Sequence, residues 1–259
     1  MLSTKLRSQL LATAFVCAVS GIVRADEPGD GPETPFVIEH ATAHSGFDGE
    51  TCWVHARAGI VPPLVPGNDS EQPLVVMTMQ KLLLSGSDVF YRLHQIRSAD
   101  GGASWTSPQP IDSFARETFR GNDAPLPTGA ELNSDLLEPG DETTVCDFSP
   151  MWHAPSGRLL GIGQTVWYRN NRVTHVRPRG IAYAVYHPTR SRWSDWRVVS
   201  LPNEKRFESA GSGSAQRVDL PGGDTLIPFY FKEPSAKQYS SAVCRCRFDG
   251  ERLHLSLIH

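Results

Sequence analysis

The sequence predicts an all-β protein, and three observations carry that expectation. Almost no stretch sustains a helical period of apolar residues. Short apolar runs are separated instead by clusters of Gly, Pro, Asn and Asp, the punctuation of a β-sandwich, barrel or propeller. Gly and Pro, 22 and 20 of 259 residues, make up about a sixth of the chain, too much for a helical bundle. With 39% hydrophobic and 20% charged residues the chain is not a disordered one. Its 28 acidic against 25 basic groups leave no global basic excess, so no nucleic-acid partner is expected.

Residues 1–25 read as a signal peptide. Lys5 and Arg7 precede an apolar run at 10–23 (LLATAFVCAVSGIV), and Val23-Arg24-Ala25 supplies a cleavage site after Ala25. The run is too short to span a bilayer comfortably; the alternative, an uncleaved N-terminal anchor, is the less favoured reading. Residues 26–259 then form one exported domain, secreted or periplasmic, with no membrane association after leader cleavage. Cleavage removes three basic groups and no acid, leaving 22 basic against 28 acidic, net −6. Four cysteines remain, Cys52, Cys146, Cys244 and Cys246, too few for a disulfide framework. Cys244 and Cys246 share one face of a strand and do not easily bridge each other.

Three passages then repeat one pattern, a turn followed by a buried strand. Residues 73–80 (PLVVMTMQ) follow VPPLVPGNDSEQ, 158–167 (RLLGIGQTVW) follow APSG, and 224–231 (DTLIPFYF) follow LPGG. Each leads into a second, alternating strand: 89–97 (VFYRLHQIR), 181–187 (IAYAVYH) and 241–248 (SAVCRCRF). A last strand is expected at 252–258 (RLHLSLI). The spacing is longer than one minimal four-stranded blade, so loops are inserted, most clearly the polar, turn-rich stretch 115–141.

The sharpest local motif is Ser98-Ala99-Asp100-Gly101-Gly102-Ala103-Ser104-Trp105. It fits Ser-x-Asp-x-Gly-x-x-Trp, the Asp box of the bacterial neuraminidase repeat. Asp100 and Ser98 bind turn backbone, Gly102 allows a positive φ, and Trp105 folds back as a hydrophobic plug between strands. The motif reads as structural rather than catalytic.

With that motif the chain resembles the sialidase (neuraminidase) superfamily. Residues 56–62 (ARAGIVP) resemble the region supplying the family's first carboxylate-binding arginine. Residues 87–89 through the Asp box resemble the outer strands of a first blade, and 146–150 (CDFSP) resemble the Asp-Pro segment leading a second. The resemblance implies a six-bladed type of β-propeller, of which this chain would supply about three to four blades of antiparallel four-stranded sheets. Six blades need more residues than are present, so the propeller is expected to be incomplete, either as a truncated product or as one closed by an unknown partner.

The resemblance also implies an exo-α-sialidase-type glycosidase acting on terminal acidic sugars, with a Tyr nucleophile activated by Glu, an Asp acid/base and three arginines on the sialic-acid carboxylate. No cofactor and no metal are implied. Arg57 is the best match for a carboxylate binder, the other reading being a surface ion pair. Asp147 is a pocket acid or a turn-capping residue. Gln80 stands where the acid/base Asp is expected, and Asp88 is the nearest substitute, the favoured reading being that it braces the strand; Glu208 is the carboxylate closest to the place of the activating Glu, displaced from it by some residues. Arg217 is a second arginine or an exposed strand position. Arg177 and Arg179, from a basic cluster with Arg169 and Arg172, are a second clamp or part of a solvated hairpin tip. His40 and His44 have metal-pair spacing but no helix signal around them. Residues 209–214 (SAGSGS) read as a loop entering a blade, not a phosphate loop. The rival function is a non-catalytic propeller that binds glycans or proteins.

Overall fold

The computed structural model describes residues 40–121, 136–174, 178–202 and 205–259. The leader with its cleavage site, Arg177 and residues 122–135 of the insertion lie outside the described residues. The chain divides into residues 1–41 and 42–259, and every strand belongs to the second unit.

Three antiparallel sheets follow one another along the chain. Sheet I is a simple meander of β1 (Thr51–Val61), β2 (Leu74–Leu83), β3 (Phe90–Ser98) and β4 (Gln109–Pro110). Sheet II comprises β5 (Glu117–Thr118), β6 (Glu142–His153), β7 (Arg158–Arg169), β8 (Arg172–Val173), β9 (Ile181–His187), β10 (Arg192–Trp193) and β11 (Arg197–Val198). Its path runs β10-β9-β7-β6-β5, with β8 on β7 and β11 on β9. Sheet III pairs β14 (Asp224–Lys232) with β15 (Ser240–Phe248) and β15 with β16 (Leu253–Ile258); the short β12 (Ser209–Gly211) and β13 (Val218–Asp219) both pair with β14. Helix among the described residues is limited to single 3₁₀ turns, and none of it is long and apolar enough to cross a membrane.

The burial of each sheet explains its sequence pattern. In β7, Leu159 packs into a core shared with sheet I (Val61, Val76, Leu93), whereas Leu160 and Ile162 pack into one shared with sheet III (Ile227, Phe229, Cys244). Sheet II is therefore covered on both faces, which is why RLLGIGQTVW and IAYAVYH read as almost continuous apolar runs. Strands β14 and β15 face sheet II on one side only and alternate accordingly, with Cys244, Cys246 and Phe248 buried and Arg245 and Arg247 exposed. All four cysteines of this unit are free thiols. Burial raises the Cys244 thiol to about 12 and the Cys246 thiol to about 11, so both behave as small core hydrophobes. Gly161 completes the packing between sheets I and II: a Cβ there would fall 2.0 Å from Phe148 Cζ, and the Phe148 ring packs edge-on to Trp193 at 5.2 Å.

The Asp box lies directly after β3. Ser98 Oγ donates to Asp100 Oδ1 (2.7 Å) and accepts from Gly102 N (2.8 Å). Asp100 accepts from Ser104 N (2.9 Å) and Ser104 Oγ (2.5 Å). Trp105 differs from the expected interstrand plug. It is half-buried and returns its indole N–H to the Gly102 carbonyl at 3.0 Å, capping its own turn. The hydrogen bonds from Ser104 and Ser98 hold the Asp100 carboxyl at about 2. This depressed value makes the carboxylate stabilising above the unfolded value near 3.9, with the contribution lost as pH falls toward 2. Asp100→Asn is therefore expected to lower the urea midpoint at pH 6, with the gap to the parent protein closing between pH 4 and pH 2; a gap independent of pH would contradict it.

Candidate functional site

Sheets I and II each have one long strand broken by a residue in the left-handed region, and sheet III has such a residue in the gap between its first two strands. In β1 it is His55 (φ 54°), where the register to β2 shifts between Val54 and Arg57. In β6 it is Asp147 (φ 54°), where the register to β7 shifts between Cys146 and Ser149. In sheet III it is Ser214 (φ 57°), in the gap between β12 and β13. A non-glycine residue in this region costs about 1–3 kcal/mol and persists only where its surroundings over-determine it. Here the three kinked residues meet. His55 Nε2 lies 3.3 Å from Asp147 Oδ1, and Ser214 Oγ donates to the same oxygen at 2.9 Å.

Around them lies a cavity of about 280 Å³, lined by His55, Asp88, Phe90, Asp147, Gln164 and Arg179 among others. One chain of hydrogen bonds runs across this region from Arg57 to Arg179. From one end, Arg57 Nη2 donates to Ser214 Oγ (3.4 Å), which donates to Asp147. From the other, Arg179 Nη1 donates to the Tyr230 hydroxyl (2.7 Å), Tyr230 donates to Gln164 Oε1, and Gln164 Nε2 donates to Asp147 Oδ2 (2.9 Å). Every donor in the chain thus points toward the Asp147 carboxylate, with a guanidinium at each end. A polar network with one consistent donor direction is rigid, and its members hold their rotamers.

The small residues before Ser214 make this possible. A Cβ on Gly211 would fall 2.4 Å from Gln164 Oε1, and one on Gly213 would fall 2.5 Å from Gln164 Nε2 and 3.0 Å from Asp147 Oδ2. The two glycines form the bed on which the Gln164 amide lies. Burial raises the Tyr230 phenol above its ordinary value, opposed by Arg179 and the Gln164 bond, and burial raises the Cys146 thiol. Both groups are neutral at physiological pH.

Of the residues singled out from sequence, Arg57, Asp147 and Arg179 belong to this hydrogen-bond chain, and Asp88 lines the same cavity from an exposed turn (φ 56°). The Asp88 carbonyl accepts from Tyr168 Oη at 3.1 Å. Asp147 lies within β6, at its kink, rather than ahead of a strand. Glu208 immediately precedes β12, and its carbonyl accepts from Arg179 N at 3.0 Å, fixing the backbone of that arginine. Arg177 lies outside the described residues.

Arg217 is not an exposed strand position and does not line the cavity. It is 4% exposed, donates to the carbonyls of Leu160 (2.5 Å) and Met151 (2.9 Å), and pairs with Asp219 at 3.0 Å. Its neighbour Val218 occupies the exposed side of β13 instead. Arg169 is held by Asp141 and Glu138, and Arg172 is exposed at the hairpin tip. Gln80 is buried and joins sheet I to sheet II, donating to the carbonyls of Tyr91 (2.9 Å) and Val145 (2.7 Å). Among the described residues, no group of three or more metal-ligating side chains is placed to hold an ion.

His55, Gln164 and Tyr230 were not singled out from the sequence, and Ser214 only as the end of the loop read at 209–214, of which Ser209–Gly211 is strand β12. Only the alternating glycines of Gly211-Ser212-Gly213-Ser214 carried a signal, since small residues at every second position mark a close approach of backbone to another group.

No family model matches the chain, and no curated protein matches it. Among solved structures, it is similar to the crystal structure of a protein of unknown function from Dyadobacter fermentans DSM 18053, at 10% identity and a TM-score of 0.27. The alignment covers 73% of this chain and 59% of that one, so the chain spans less than two thirds of that protein's length.

Proposed function

We propose that the three sheets are an arc of a sialidase-like β-propeller and that the cavity is a glycosidase site for terminal acidic, sialic-acid-like sugars. The observation that carries this reading is the meeting of three backbone kinks at one carboxylate, with an arginine at each end of the hydrogen-bond chain through it. Arg179, which lines the cavity, and Arg57, which lies outside its lining at the far end of the hydrogen-bond chain, offer planar, permanently charged forks to the sugar carboxylate. Asp88, at the exposed mouth, gives its proton to the glycosidic oxygen as the bond to the anomeric carbon breaks. Asp147, fixed by Ser214, Gln164 and His55, stabilises the positive charge that develops on the sugar ring. Water then adds to the anomeric carbon and returns a proton to Asp88.

One observation favours a second reading, a non-catalytic binder of acidic glycans. Tyr230, the tyrosine of the site, has its hydroxyl tied to Gln164 and Arg179 and held neutral by burial, an arrangement suited to positioning rather than nucleophilic attack. Turnover of a fluorogenic sialoside and calorimetric titration with N-acetylneuraminic acid separate the two. Arg179→Ala is expected to lower kcat/KM, or the affinity, by about tenfold to a hundredfold, the worth of a charge-assisted hydrogen bond. Binding without turnover selects the second reading. The absence of both in the parent protein overturns the site.

A further inference from the structure

Two hairpins at one end of sheet II are built alike and set a row of cationic side chains next to one another. The β6–β7 turn reads His153-Ala154-Pro155-Ser156-Gly157-Arg158, and the β9–β10 turn reads His187-Pro188-Thr189-Arg190-Ser191-Arg192. Each is a single 3₁₀ turn with proline at its start, closed by one residue in the left-handed region, Gly157 (φ 62°) or Ser191 (φ 48°). The turn brings the chain back so that the histidine before it pairs with the arginine after it, His153 with Arg158 and His187 with Arg192. The register that pairs Leu159 with Tyr186 then brings Arg158 beside His187. Directly opposed residues share a sheet face, so His153, Arg158, His187 and Arg192 form one row across four strands. Arg190 joins it from the second turn. Gly67 braces that turn, since a Cβ there would fall 2.4 Å from the Pro188 carbonyl carbon.

The two histidines are buried, Arg158 is half-buried, and Arg190 and Arg192 are exposed. Among the described residues, none of these three arginines lies within salt-bridge distance of a carboxylate, whereas Arg245 and Arg247 on sheet III both pair with Asp224. Glu251, on the β15–β16 turn, lies 3.7 Å from His187 Nε2 and reaches none of them. Asp69 and Glu71, in the loop that carries Gly67, form no ion pair with them either. Arg158 bonds within the protein through Nη1 alone, to the Gly157 carbonyl at 3.4 Å, and its Nε–H is buried without an acceptor. All three positive charges bear on one ring: burial first, then Arg158, Arg190 and Arg192, hold His187 below its ordinary pKa against the pull of Glu251. In a chain of net charge −3 this edge is a local reversal of sign.

We propose that this edge of sheet II binds an acidic polysaccharide, with Arg158, Arg190 and Arg192 holding its sulfate or carboxylate groups. A planar guanidinium gives such an oxyanion two parallel hydrogen bonds, and no carboxylate of the protein competes for these three. Arg158 and Arg192 stand on strands either side of β9, roughly 10 Å apart, which suits anionic groups repeated along a polymer rather than a single ion. A nucleic acid fits less well. The aromatic neighbours in these strands, Tyr186 and Trp193, are buried, so no ring is presented on which a base could stack. The edge is also separate from the cavity, because Gln164 lies six residues along β7 from Arg158, roughly 20 Å. The inference therefore stands apart from the glycosidase reading.

Calorimetric titration of the purified chain with dextran sulfate and, separately, with polygalacturonate tests this at low and at physiological salt. Binding of at least one polymer is expected, weakening as salt rises because the contacts are between charges; the polymer bound more tightly identifies the anionic group. Arg190→Gln combined with Arg192→Gln should lower the affinity about tenfold or more, the worth of a charge-assisted hydrogen bond, and adding Arg158→Gln should lower it further. The circular-dichroism spectrum should not change in the double variant, because both side chains are exposed. Arg245→Gln with Arg247→Gln, which removes two exposed arginines from sheet III, should leave the affinity as it was. Failure of both polymers to bind at low salt, an equal loss in the sheet III variant, or tighter binding of single-stranded DNA through the same three arginines would overturn the proposal.

Discussion

Arg217→Ala is expected to lower the melting temperature by about 6–20 °C, the largest stability effect of any single substitution proposed for this protein. The guanidinium crosses from the residue before β13 to sheet II and donates to two backbone carbonyls, Leu160, where the bond is buried, and Met151. Burial alone pulls the Arg217 pKa down, opposed by the Asp219 carboxylate, which is itself held by Thr225 Oγ1 at 2.8 Å. Removing the arginine leaves Asp219 a half-compensated charge and takes a charged donor from both carbonyls, a loss of about 3–5 kcal/mol for a broken buried pair. Against a total stability of about 5–15 kcal/mol this is a large fraction, and at about 2–4 °C per kcal/mol for a domain of this size it gives the stated shift. The double variant Arg217→Met, Asp219→Asn removes both charges together and should lose less than Arg217→Ala alone. If Arg217→Ala melts within 3 °C of the parent protein, the arginine is not the tie between sheets II and III that its contacts indicate.

Much of the architecture was legible because strand burial writes itself into the sequence. The runs that pointed to strands at 73–80, 89–97, 158–167, 181–187, 224–231, 241–248 and 252–258 coincide with β2, β3, β7, β9, β14, β15 and β16 to within a few residues. Strands β1 and β6 were not legible as strands. TCWVHARAGIV and ETTVCDFSPMWH each change face at a kink, so neither alternates cleanly nor runs apolar, and periodicity has nothing to register. The same kinks build the cavity. What made β1 and β6 unreadable is what brings His55 and Asp147 together, and such breaks of local rules mark a candidate functional site. Arg217 shows the opposite failure. Its alternation with Val218 was visible, but which of the two faces inward depends on the Leu160 and Met151 carbonyls, more than fifty residues away in the chain. Arg57 and Arg179 were readable as candidates, whereas the bonds joining them through Ser214, Asp147, Gln164 and Tyr230 span three sheets and leave no local trace.

Asp147→Asn should separate the site from the fold. The substitution keeps size and shape, and Asn is among the few residues that tolerate the left-handed backbone found at position 147 (φ 54°), so the kink in β6 survives. What changes is charge and donor direction. A carboxylate accepts from Ser214, Gln164 and the Cys146 thiol (3.6 Å) at once and lies beside His55, whereas an amide presents one oxygen and an NH₂ that faces another donor. Either Gln164 turns over, losing the acceptor for Tyr230 and freeing Arg179, or one donor stays unpaired. The expected result is a fall in kcat/KM, or in affinity for N-acetylneuraminic acid, of about a hundredfold or more, comparable with removing one preorganised electrostatic contact from an active site. The melting temperature should move far less than in Arg217→Ala. Asp147→Ala is the contrasting case, because alanine has no polar side chain to favour the left-handed region and should lose stability as well as function. If Asp147→Asn leaves turnover and binding unchanged while Arg179→Ala abolishes them, the negative centre of the network is a brace for the inner strands and the arginines alone form the binding site.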